Sequence, residues 1–115
     1  MSTIMRDLIK HLIVIAVLST APAGGAGAAD LNAGAAKAKE VCQACHGLDG
    51  NSASADYPRI GGQYPDYLGK ALRDYKSGAR KNPIMAGFAG GLSDRDIENV
   101  AAYYASQPAA VATKH

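Results

Sequence analysis

Cys42-Gln43-Ala44-Cys45-His46 decides the reading of this chain, because it contains both cysteines of the 115-residue sequence. A Cys-x-x-Cys-His run is the attachment signature of a c-type haem. Two thiols three residues apart on a helical turn can each form a thioether to a haem vinyl group. The residue that follows then sets an imidazole beneath the iron as its proximal ligand. Other readings use fewer of the five residues. A thioredoxin-like pair needs a βαβ context, and no strand-rich pattern is present. A structural zinc site takes four ligands, whereas past residue 30 only Cys42, Cys45, His46 and His115 offer a thiol or an imidazole. A plain disulfide is open to an exported chain. Haem attachment accounts for the whole motif; a disulfide or a metal site stands as the alternative.

Moving outward to the N-terminus, Arg6, Lys10 and His11 precede an apolar run over residues 12–18, and small residues follow as far as Ala29. Ala26-Gly27-Ala28 fits an A-x-A cleavage site, so residues 1–28 read as a cleaved secretory signal peptide. The apolar run is too short for an integral membrane span, which needs about 20 residues. Export places the expected protein in the periplasm. Residues 29–107 then form one small domain, and residues 108–115 an Ala-rich, flexible C-terminal tail. A domain of this size often needs a staple. With no Trp and one Phe in the chain, a covalently held haem would serve as one.

Charge excludes more than it assigns. The chain carries 12 basic and 10 acidic side chains, with no basic arm or stripe carrying interleaved aromatics, so nucleic-acid binding is not expected. Lys70, Arg73, Lys76, Arg80 and Lys81 face only Asp74 within their stretch. That cluster reads either as a docking face for an acidic partner or as an ordinary solvated helix face.

Three helices are legible. The first, over about residues 31–44, puts Leu31, Gly34, Ala35, Ala38, Val41, Cys42 and Cys45 on one face, with Asp30 or Asn32 to cap the start and Gly47 to stop the end. A second helix begins at Pro65, carries the stripe Tyr67, Leu68, Ala71, Leu72 and Tyr75, and closes at Gly78. A third follows Ser93, with Asp94, Asp96 and Glu98 complementing its dipole and Ile97, Val100, Ala101 and Tyr104 facing inward. Residues 48–64 and 82–91 read as loops.

Met85 is the one thioether left once Met1 and Met5 depart with the signal. It lies in the Gly-rich stretch 82–91, where a role in core filling explains it less well than a second axial bond to haem iron. A soft, neutral thioether favours reduced iron and raises the potential. Packing under the loop is the plainer alternative, and His115 is a second candidate ligand.

Together these stretches resemble the class I c-type cytochromes, and within them the small bacterial group that includes cytochrome c4 and the cytochromes c553. The matching segments are residues 42–47, Tyr57-Pro58-Arg59-Ile60-Gly61-Gly62-Gln63, residues 67–80, and Met85 through Leu92-Ser93-Asp94 to Tyr103-Tyr104. The likeness covers roughly residues 30–107 and implies an all-α class I cytochrome c fold, its helices packed around one covalently attached haem c. It implies thioether bonds at Cys42 and Cys45, His46 as proximal and Met85 as distal iron ligand, and a Pro58 carbonyl that accepts the His46 Nδ1–H. Gly34 with Tyr103 or Tyr104 matches the contact where first and last helices cross. Cytochrome c4 carries two such domains; one motif here implies a mono-haem relative.

The expected function is a periplasmic one-electron carrier rather than an enzyme. Its partners would be redox proteins: a dehydrogenase, a respiratory complex, or a terminal oxidase or reductase. One alternative is the cytochrome subunit of a periplasmic dehydrogenase complex. Another is a sensor or peroxidase in which Met85 is labile.

Overall fold

The computed structural model describes residues 28–109. The signal peptide expected over residues 1–28 lies outside them up to residue 27, as does the tail from residue 110. All regular structure among the described residues is helical: α1 (Leu31–Lys37), a π-helical turn (Ala38–Cys42), α2 (Gln43–His46), α3 (Pro65–Ser77), α4 (Pro83–Gly90) and α5 (Asp94–Ala105). No helix among them is long and apolar enough to cross a membrane.

The first helical run starts where a short acceptor side chain predicts. Asp30 accepts from the Ala33 N–H, and its own N–H donates to Asn99 Oδ1 at 2.9 Å, tying the start of α1 to α5. The run was expected to be plain α-helix through residue 44. The structure instead widens it over Ala38–Cys42, with the Gln43 N–H bonded to the Ala38 carbonyl. A π turn holds one residue more than an α turn, so it re-aims everything after it. That includes both cysteines and His46.

Helices α1 and α5 cross at Gly34. A Cβ built there would lie 2.1 Å from the Asn99 carbonyl oxygen and 2.9 Å from Tyr103 Cβ, so only hydrogen fits. The expected glycine contact is therefore present, with Tyr103 as the aromatic partner.

Helix α3 runs from Pro65 to a left-handed Gly78 (φ 84°), and α5 opens with a capping box between Ser93 and Asp96. The reciprocal bond from the Ser93 N–H holds the Asp96 carboxyl below its ordinary range. Both helices stand where the sequence places them.

The stretch 82–91 does not form the expected loop. It holds α4, started by Asn82, whose side chain accepts from the N–H groups of Ile84 and Met85, with Pro83 in the first turn. Glycine costs a helix interior about 1 kcal/mol, which made residues 82–91 look irregular. The cap, the favourable Ala and Met positions and complete burial of Ala89 outweigh that cost. Met85 is thus a helix residue.

The core is small. Ala38, Leu68, Val100, Ala101 and Tyr104 form its buried cluster, flanked by half-buried Cys42, Ile60, Leu72, Tyr103 and Ala105. Among the described residues Tyr104 and Ile97 are the largest fully buried side chains. Pro108 and Ala109, the first residues of the expected tail, lie against the loop: the Pro108 carbonyl accepts from Asn51 Nδ2 at 2.8 Å.

Candidate functional site

A cavity of about 310 Å³ opens beside this core, and the five sequence-predicted site residues, Cys42, Cys45, His46, Pro58 and Met85, all line it. They arrive from three directions. The two cysteines and His46 come from the π turn and α2, Pro58 from the loop, and Met85 from α4. Leu68 and Tyr75 of α3 and Val100 of α5 complete walls that are largely apolar.

His46 is 8% exposed. Its Nδ1 lies 2.8 Å from the Pro58 carbonyl oxygen. A carbonyl can only accept, so Nδ1 carries the proton and the Nε2 lone pair is left for another partner. The His46 ring makes no other hydrogen bond among the described residues.

The loop that supplies Pro58 is itself held in several places. The Gly50 carbonyl accepts from the N–H groups of Ile60 (2.8 Å) and Gly61 (3.0 Å), and the Gly62 N–H donates to the Tyr104 carbonyl. Gly50 sits at φ 74°, and a Cβ there would meet Gly61 N at 2.6 Å and Tyr104 Cδ1 at 2.8 Å. Two hydroxyls from α5 clamp the turn after His46: Tyr103 Oη donates to the Leu48 carbonyl at 2.6 Å, and Tyr104 Oη to the Gly47 carbonyl at 3.0 Å.

The sequence pattern places Tyr104 on the inward face of α5 and either tyrosine at the helix crossing, but it does not show these hydroxyl bonds. Residue type signalled an aromatic on α5; the acceptor, more than fifty residues away, was not visible without the fold. Arg59, Arg80 and Asn82 also line the cavity and were not read as site residues.

Cys42 and Cys45 are half-buried free thiols. Burial pushes the Cys42 thiol up to about 11, opposed by the neighbouring Tyr104 hydroxyl, and the same burial raises Tyr104. No group of three or more His, Cys, Asp or Glu converges among the described residues in a way that could hold a metal ion. Among the described residues, then, a zinc site built from this motif finds no further ligands of these types.

The donor set fits a haem. Thiols three residues apart stand beside an imidazole whose Nε2 is available, a thioether lines the same cavity, and the walls are tyrosine, leucine and isoleucine. Such walls suit a flat apolar macrocycle with polar anchoring only at its edges.

The family model described as "Cytochrome C oxidase, cbb3-type, subunit III" matches residues 29–103. The chain belongs to the class I c-type cytochromes. Among its relatives, cytochrome c4 of Pseudomonas aeruginosa is 46% identical over 104 residues, covering 90% of this chain and 49% of that protein. The thiosulfate dehydrogenase electron acceptor of Stutzerimonas stutzeri is 44% identical over 77 residues, covering 66% of this chain and 36% of its own. The solved structure of reduced recombinant cytochrome c4 from Pseudomonas stutzeri superposes with a TM-score of 0.65 at 43% identity, over 70% of this chain and 47% of that one. This c-type cytochrome chain spans about half the length of the cytochrome c4 relatives it matches. Its cofactor is covalently bound haem c, for which its single Cys-x-x-Cys-His motif provides one site.

Proposed function

We propose that this cytochrome is a periplasmic one-electron carrier, with Cys42 and Cys45 as thioether anchors, His46 and Met85 as axial ligands, and no enzymatic activity of its own. When bound, the haem supplies a one-electron ferric/ferrous couple. The remaining work belongs to the side chains. The Pro58 carbonyl fixes the His46 tautomer and ring orientation and increases the basicity of Nε2 toward a metal. Met85 offers a soft, uncharged donor that favours the reduced state. The apolar walls keep water from the centre, so the charge change meets little solvent reorganisation. With a side chain assigned to each axial position, no place is left for a substrate.

The observation that carries this reading is the convergence of the His46–Pro58 pair and Met85 on one cavity that also receives both thiols. The location rests on the signal-like residues 1–28. Expression with the native N-terminus in a host able to mature c-type cytochromes tests both parts. Covalent haem, an N-terminus at Ala29 or Asp30 and a sulfur-to-iron charge-transfer band in the oxidised protein are the expected results. Absence of that band, with covalent haem present, would remove Met85 from the ligand set.

A second reading has support from among the relatives. The thiosulfate dehydrogenase electron acceptor points to a partner dehydrogenase, either as a transient donor or as a complex holding this chain as its cytochrome subunit. Co-purification at fixed stoichiometry from the native periplasm favours the complex, and a freely monomeric protein favours the carrier.

A further inference from the structure

The connection between α3 and α4 is short, and it leads directly to Met85. After the left-handed turn at Gly78 the Arg80 N–H donates to the Asp74 carbonyl at 3.0 Å. The Arg80 side chain folds back onto α3: its Cζ lies 4.9 Å from the centroid of the Tyr75 ring, and Nη1 lies 3.4 Å from Tyr67 Oη. Two residues further on, Asn82 Oδ1 accepts from the Ile84 and Met85 N–H groups at 3.0 and 3.1 Å. Arg80, Tyr67, Tyr75 and Met85 line the same cavity.

Among the described residues the Arg80 side chain meets the two tyrosines of α3. A planar guanidinium can lie on one ring while an N–H reaches a hydroxyl, a combination that the point charge of lysine does not reproduce.

We propose that Arg80 is a positioning residue, a latch that fastens the start of the Met85 helix to the tyrosines of α3 and so keeps outside ligands from the place Met85 holds. The proposal rests on the reading of Met85 as an axial ligand. The latch acts through geometry: loosening it lets α4 swing away from α3 more often, and a competing base reaches the iron during those excursions.

The test is imidazole titration of the oxidised, haem-loaded protein, with the sulfur-to-iron charge-transfer band and the reduction potential followed alongside. Arg80→Gln and Arg80→Lys should each raise imidazole affinity roughly two- to fivefold, the range of an exposed cation–π contact, and weaken the band. Tyr75→Leu should do the same, and adding Arg80→Gln to it should change little more. If Arg80→Lys keeps wild-type affinity while Arg80→Gln only lowers the potential, Arg80 acts through its charge and the latch is wrong. Wild-type affinity in all three variants overturns it equally. Met85→Ala separates the layers. Should it raise imidazole affinity while the Arg80 variants do not, the latch fails alone; should it leave affinity unchanged, the ligand reading fails and the latch with it.

Discussion

The two sides of the cavity are built to different tolerances. On the His46 side, residues 47–62 are pinned by backbone bonds at Gly50 and Gly62 and by two tyrosine hydroxyls from α5. On the Met85 side an eight-residue helix is held by the Asn82 cap, the Arg80 contact and the buried Ala89. A histidine locked in one tautomer and orientation needs an unmoving frame. A methionine, with three rotatable bonds and a polarizable sulfur, tolerates a compliant one. The comparison predicts that equal chemical insults will have unequal effects on the two sides.

Glycine substitution gives the largest contrast. Gly50→Ala meets both a positive φ and backbone at 2.6 Å, and should cost about 2–4 kcal/mol, from overpacking and left-handed strain together. For a domain of this size that is a fall in melting temperature on the order of 15 °C. Gly87→Ala on α4 meets nothing within 4 Å and should be neutral or gain up to about 1 kcal/mol in helix propensity. Thermal unfolding of the two haem-loaded variants measures both. Equal losses would break the comparison.

Met85→Ala comes next and should act mainly on the potential. Exchanging the thioether for water or a stray base should lower the midpoint by on the order of 100 mV or more, given the span that axial ligation covers. Melting should change less than in Gly50→Ala. Potentiometric titration checks the first statement and calorimetry the second.

These contrasts also mark what could be read in advance. The motif at residues 42–46 is legible because its chemistry is confined to a single turn, and the ends of α3 and α5 because Pro65, Gly78 and Ser93 carry local conformational preferences. Helix α4 was hidden: its glycines weaken the local signal, and the packing of Ala89 that offsets them is tertiary. The π turn at Ala38–Cys42 left no mark in a pattern that a plain α-helix also satisfies. The tyrosine hydroxyls and the Arg80 stack depend on which distant atoms the fold brings near, and no local spacing encodes that.

Tyr104→Phe probes the pinned side more gently. It removes the hydroxyl that donates to the Gly47 carbonyl while leaving the buried ring. The expected loss is about 1 kcal/mol, with a small change in the His46 ring resonances of the haem-loaded protein by NMR. An unchanged imidazole environment would show that the backbone bonds at Gly50 hold the loop without the tyrosine.

The smallest effect belongs to the far end of α5, and it tests whether the pinning is local. Asp96 closes the capping box with Ser93, and the Ser93 N–H holds its carboxyl below the ordinary value of 3.8. A carboxyl depressed in the folded state contributes stability above its unfolded pKa and loses it as pH falls through the folded one. Asp96→Ala should therefore cost about 0.5–1 kcal/mol at pH 7. The gap from wild type should narrow as the medium is acidified below 3.8, because the wild-type carboxyl then protonates too. Denaturant unfolding at several pH values follows both arms. Two helical turns separate this cap from the Tyr103 and Tyr104 hydroxyls, so the reduction potential should not move. If it does, strain at the start of α5 reaches the turn after His46, and the helix transmits motion into the side of the cavity that its tyrosines were taken to hold still.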